Sequence, residues 1–248
     1  MNTTTTRITC AASAVAAFLV FSSITRAATI VPVVTLTAYD NAPISGNADN
    51  HNASGDNVSA GELDDSSINR LERATMVFSM PTLAVGETVV SATLNIYVRT
   101  VTNGSGSLPD AVLYDSQTQN RTTNNTTFYE DASYTSTGLS VANASMTASS
   151  SAPVLVSLDV TSWVNSDYQL DGSSVVSSFR IQVDGQGFVD DDKSNRYTFF
   201  GMNSTSYAPQ LVLTTTTSAI PEPGTFAMLA GGVGMMVAVG SRRRAFKR

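Results

Sequence analysis

The residues able to do chemistry are few and unevenly placed in this 248-residue chain, which has one histidine and one cysteine. His51, the histidine, sits in an Asn/Asp/Gly-rich stretch with no G-x-S-x-G elbow and no H-E-x-x-H helix beside it. A loop histidine without a nucleophile or a second metal ligand reads as solvated rather than catalytic. Asp190-Asp191-Asp192 is a stronger cluster. Three adjacent carboxylates in a turn are hard oxygen donors that could hold a structural Ca²⁺, with Asp184 or loop carbonyls completing the shell. Their spacing is not that of an EF-hand, and a solvated acidic turn accounts for the same run. Asp64-Asp65 and Asp49 are weaker cases of the same kind. A carboxylate pair for glycoside hydrolysis has no sequence signature of its own. Exposed rings are the remaining chemistry, because sugar rings stack on them. Tyr129 and Tyr134 are the candidates for glycan stacking, whereas Trp163 is expected to plug the core. The expectation is a protein that is not an enzyme.

The ends of the chain are targeting segments and must be set aside before the fold is read. Met1 to Arg7 is short, polar and basic, and Ala11 to Ile24 is an apolar run. At about 14 residues that run matches a signal-peptide core and is short for a membrane span. Thr25-Arg26-Ala27-Ala28 closes it with small residues, so cleavage is expected after Ala27. Cys10 precedes the apolar core, where a lipoprotein acylation cysteine would follow it. The mature domain then has no cysteine, which excludes disulfides, zinc thiolates and a cysteine nucleophile.

Removing the ends also sharpens the charge. Two of the 14 basic residues fall in the leader and five in the tail, against one of the 20 acids, so the body carries 7 basic and 19 acidic residues. That net of −12 repels nucleic acid and anionic membranes, whose binding depends on Lys/Arg contacts that release counterions. No nucleic-acid partner is expected.

The body from 28 to 217 is long enough for one domain. Strand signatures, β-branched and apolar runs bounded by turn formers, recur along it. They cover Ile30–Tyr39, Ala74–Met80, Thr88–Val101, Ala111–Tyr114, Leu139–Val141, Val154–Leu158, Phe179–Val183, Arg196–Gly201 and Gln210–Thr216. The run Thr88–Val101 is the clearest: Ala92, Leu94, Ile96 and Val98 fall on one face, and Thr93, Asn95, Tyr97 and Arg99 on the other. Asn41–Ser67 reads as a long loop with a short edge strand at Asn57–Ala60. Asp159 is placed to cap a single helical turn through Asn165. Many short strands without alternating helices predict an all-β, antiparallel sandwich.

The tail, 218–248, opens with Pro221-Glu222-Pro223-Gly224, which neither helix nor strand can run through. Thr225 to Gly240 is then uncharged and rich in Ala, Gly, Met and Val. As a transmembrane helix it would span about 24 Å, slightly less than a ~30 Å hydrocarbon core. Arg242, Arg243 and Arg244 follow and would stay on the cytoplasmic side. Together these parts resemble the PEP-CTERM sorting signal of Gram-negative, polysaccharide-producing bacteria, with Pro221, Glu222 and Pro223 as the motif. The resemblance implies residence in the inner membrane, then processing by an exosortase-type enzyme and transfer to the cell surface or extracellular matrix. An ordinary C-terminal anchor would need no such motif.

Four segments of the body resemble DNRLRE-type domains, which are jelly-roll sandwiches related to carbohydrate-binding modules. They are Arg73–Leu83, Val89–Val98, Ser157–Val164 and Tyr207–Leu213, in the order of that family. The matching positions, such as Phe78, Leu94, Ile96 and Leu211, are ones any sandwich core needs. The loops at Gly104–Tyr114 and Thr118–Ser151, where specificity would reside, depart from the pattern. The resemblance implies a jelly-roll β-sandwich associated with exopolysaccharide. A structural matrix component without a specific ligand and a secreted carbohydrate-active enzyme are the alternatives.

Overall fold

A computed structural model describes residues 24–41, 50–52, 55–65, 68–116, 134–170, 175–185 and 191–217. Its organising element is β6 (Glu87–Asn103), the strand whose alternation is plainest in the sequence. Ala92, Leu94, Ile96 and Val98 are all fully buried, and the intervening Thr93, Asn95, Tyr97 and Arg99 turn outward. At seventeen residues β6 is long enough to take two neighbours on one edge. β12 (Gln210–Thr217) runs along Glu87–Asn95, and β11 (Asn195–Phe200) along Val98–Asn103. β9 (Val154–Asp159) pairs with residues 93–98.

A second long strand, β5 (Ile68–Ser79), works the same way. β2 (Val34–Asn41) pairs with it over residues 70–77, while β4 (Asn57–Asp65) and β10 (Val176–Val183) pair with its first and second halves. β7 (Ala111–Ser116) and β8 (Tyr134–Ala142) extend the sheet beyond β10. β1 (Ile24–Ile30) lies beside β12 at the other end, and β3 (Asn50–Asn52) pairs with β2. The result is one antiparallel sheet that curls into a half-barrel. Its inner face holds the main apolar cluster, built around Phe78, Leu94, Ile96, Phe179, Tyr197, Phe199 and Leu211. Phe78 and Phe179 meet edge to face at 6.2 Å.

Several boundaries differ from the sequence reading. The first predicted strand, Ile30–Tyr39, starts later, as β2 from Val34, because Pro32 has no N–H to donate and residues 31–33 leave the pairing; Ile30 instead ends β1, whose first residues, 24–27, fall in the expected signal segment. The short edge strand expected at Asn57–Ala60 is nine residues long and central, flanked by β5 and β11. Its second half is masked in the sequence by Glu62 and Asp64, which are buried polar residues rather than loop residues. The expected helical turn is a ten-residue helix, α1 (Thr161–Leu170). Asp159 does serve its start: its carboxylate accepts the Thr161 N–H at 3.0 Å and the Thr161 hydroxyl at 2.6 Å, bonds that pull its pKa down. The helix runs on because Val164 and Asp167 continue its buried face against β6 and β10. Trp163 packs partly buried against the core, as expected. Among the described residues no helix is long and apolar enough to cross a membrane. Residues 1–23 of the expected signal segment, 1–27, and the tail from 218 lie outside the described residues.

Candidate functional site

Pro221, Glu222, Pro223, Arg242, Arg243, Arg244, Tyr129 and Asp190 lie outside the described residues. His51 is placed by its backbone only, in β3 opposite Ala38.

The acidic turn is described from Asp191 onward. Asp191 donates its backbone N–H to the buried Asp64 carboxylate at 2.9 Å and accepts the Lys193 N–H at 3.1 Å. Its other oxygen is 3.9 Å from the Lys193 ammonium. Asp192 is exposed and takes a positive φ of 57°, which lets the chain turn into β11. Asp184 is engaged elsewhere, accepting from Tyr114 at 2.6 Å and Gln182 at 2.7 Å. These carboxylates organise the approach to β11. Among the described residues no three His, Cys, Asp or Glu side chains converge as a metal site.

Tyr134 corrects an expectation. It begins β8, paired with Ser116, and is only 6% exposed. Its hydroxyl is 2.7 Å from that of Ser178, and the Arg180 guanidinium lies 4.3 Å from its ring centroid. It packs with Leu36, Val77 and Val176 in a second apolar cluster. Pairing into the sheet buries a ring that the sequence placed in a loop, so no face of Tyr134 is offered to a sugar.

The rings that do reach the surface are others. Tyr97 and Phe200 stand on the outer side of β6 and β11, and Tyr207 in the β11–β12 loop lies against both. Its centroid is 5.1 Å from Tyr97 and 4.9 Å from Phe200, at tilts of 59° and 38°. The pairing between β6 and β11 shifts register at this point, from Thr198 opposite Thr100 to Phe199 opposite Val98. Arg99 is the residue skipped, and such a bulge re-aims a side chain. Its guanidinium lies 5.7 Å from the Phe200 centroid. Leu155 on β9, opposite Tyr97, is 48% exposed, and Met202 is 37% exposed. The alternation of β6 was enough to turn Tyr97 and Arg99 outward. Nothing local in the sequence brings Phe200 and Tyr207 to them.

The loop carrying Tyr207 is held down along its length. Gly201 donates its N–H to Asp56 O at 2.8 Å, Met202 to the Thr35 hydroxyl at 3.1 Å, and Asn203 to Gly55 O. A Cβ at Gly201 would come within 2.6 Å of Gly55 O, so the close approach requires glycine. Tyr207 itself donates its N–H to the Ser204 hydroxyl at 3.1 Å.

Two further polar features complete the picture. Asp167 on α1 is 1% exposed and accepts the Ser177 hydroxyl of β10. Burial pushes its carboxyl up to about 7, opposed in part by the Ser177 bond. Glu87, at the start of β6, accepts the Thr215 hydroxyl and the Ala84 N–H, which hold its carboxyl below the usual range, with Arg26 adding to the effect. Glu87 also borders a shallow pocket of about 90 Å³ together with Arg26, Leu83, Leu213 and Thr215. That is well below the roughly 300 Å³ at which small-molecule sites begin.

Comparison with known proteins bears on the tail. No curated protein matches the chain. Residues 219–244 match the PEP-CTERM protein-sorting motif, a span that takes in Pro221, Glu222, Pro223 and Arg242 to Arg244. The chain therefore carries the signal of an exported protein that an exosortase sorts.

Proposed function

We propose that this is a non-catalytic surface or matrix protein whose β domain, of jelly-roll type, associates with exopolysaccharide. The tail holds it in the inner membrane until an exosortase-type enzyme acts near Pro221-Glu222-Pro223. The domain then passes to the cell surface or the extracellular matrix. The observation that carries this reading is the sorting motif at 219–244. The acidic body, with its 7 basic and 19 acidic residues, suits a soluble extracellular domain and disfavours nucleic acid or anionic lipid as its partner. The outward rings of Tyr97, Phe200 and Tyr207 are the surface best suited to sugar contact.

The test compares the mass and location of the native protein with those of a variant in which Pro221, Glu222 and Pro223 are all Ala. The native form is expected to end near Pro223 and to reach the medium or matrix, with the variant full length in the membrane fraction. Intact native protein in the inner membrane would reduce the tail to an anchor and remove the support for a matrix role.

A further inference from the structure

We propose that the ring cluster on the outer face of β6 and β11 binds an acidic sugar residue, with Arg99 taking the carboxylate and Tyr97 and Tyr207 taking the ring. This rests on the exopolysaccharide reading above and names the site and the class of sugar within it.

Arg99 is the starting observation. In an acidic body the other described cations are engaged: Arg70 and Arg196 both reach Glu72, at 2.7 and 3.1 Å, and Lys193 faces Asp191. Arg73 and Arg180 have polar or charged partners as well. Arg99 forms none of the ion pairs among the described residues of the body, and its buried Nε has no hydrogen-bond partner, whereas Arg26, outside the body on β1, is solvent-exposed. An arginine without a counter-ion amid so many acids is an anion site held open. The bulge that skips Arg99 and the stacking on Phe200 fix where its planar fork lies.

The rings beside it set the rest of the ligand. A small inorganic anion would need only the guanidinium. Tyr97, Phe200 and Tyr207, half-buried and in mutual contact, add apolar area with phenolic hydroxyls at its edge. A uronate-type sugar has that pairing of parts, an apolar C–H face and a carboxylate in the plane of the ring. The platform is set in advance, because the Tyr207 loop is pinned to Gly55, Asp56 and Thr35. Charge argues for a local contact. The net of −12 on the body repels a polyanion at long range, so affinity comes from one arginine and its rings rather than from a basic stripe. Added salt then screens repulsion as much as attraction, and the dependence of binding on salt is shallow.

The experiment uses the processed protein purified from the exported fraction, titrated by calorimetry with polygalacturonate and with its methyl ester. The ester keeps the sugar ring and removes the charge. Wild type is expected to bind polygalacturonate at least about tenfold more tightly than the ester, the value of one charge-assisted arginine contact. Arg99→Gln should erase that difference. Tyr207→Leu should weaken both, with the thermal melt of each variant confirming its fold. Equal binding of the two polymers by wild type, or an unchanged preference in Arg99→Gln, overturns the proposal. If neither polymer binds but the protein co-sediments with polysaccharide extracted from its own matrix, the acidic-sugar site fails and the exopolysaccharide reading stands. If it co-sediments with nothing, both fail.

Discussion

Replacing Asp167 with Asn should flatten the dependence of stability on pH between about 4 and 7. Asp167 is 1% exposed between α1 and β10, and its carboxyl is raised from 3.8 to about 7 by burial. A raised carboxyl binds its proton more tightly in the folded state than in the unfolded chain. Its favourable contribution is therefore complete below about 4 and is lost as pH rises to about 7, beyond which the protein carries a buried charge at constant cost. The interval is about three pH units, each worth about 1.4 kcal/mol, which caps the effect near 4 kcal/mol. The opposing bond from the Ser177 hydroxyl is already contained in that raised value, so about 4 kcal/mol is the upper bound on the swing. The other titratable groups nearby are Tyr168 on α1 and Glu87 on β6. Burial first, and then the charges of Glu87 and Asp167, push Tyr168 up to about 12, so it stays protonated throughout. Glu87 is shifted downward, so its contribution is present above its ordinary 4.5 and is lost as pH falls, a trend opposite in sign to that of Asp167 and confined to the acid end of the window. The assay is urea unfolding at intervals from pH 4 to 8, followed by the fluorescence of Trp163, the one tryptophan, on the same helix as Asp167. The difference between wild type and Asp167→Asn should swing toward the variant as pH rises. Parallel profiles across the whole range would falsify the assignment of a raised carboxyl to Asp167.

Three other changes probe the frame and the corrected site. Glu72→Gln removes the carboxylate shared by Arg70 and Arg196, and should lower stability by about 3 kcal/mol in denaturant titration because the acid is buried. Gly201→Ala forces a Cβ against Gly55 O, and should cost about 1–3 kcal/mol while loosening the Tyr207 loop, visible as faster amide exchange at Asn203 and Tyr207. Tyr134→Phe removes the hydroxyl beside Ser178, and should cost about 1 kcal/mol in the thermal melt with no change in polysaccharide binding. A loss of sugar binding in Tyr134→Phe would return that residue to the binding surface.

Much of this protein is written in local sequence. The sorting tail is legible because its parts are contiguous: a Pro-Glu-Pro motif, an uncharged run and a basic end. The inner and outer faces of β6 are legible because a strand repeats every two residues, so Leu94 and Ile96 fall inside and Tyr97 and Arg99 outside without knowledge of any neighbour. The acidic balance of the body, which argues against a nucleic-acid partner, is likewise read from composition alone. Other features depend on partners distant in the chain. β4 reads as only a short edge strand at Asn57–Ala60 because acids occupy its second half, and only the strands on either side make it central. Tyr134 looked exposed because its polar neighbours resemble a loop, yet pairing with β7 and contact with Arg180 bury it. The helix α1 outran its predicted turn because Asp167 is buried by β10, which no helical pattern of apolar residues announces. The aromatic surface arises only when β6, β11 and the loop after it come together. Periodicity tells which way a side chain points; only the folded sheet decides what it meets there.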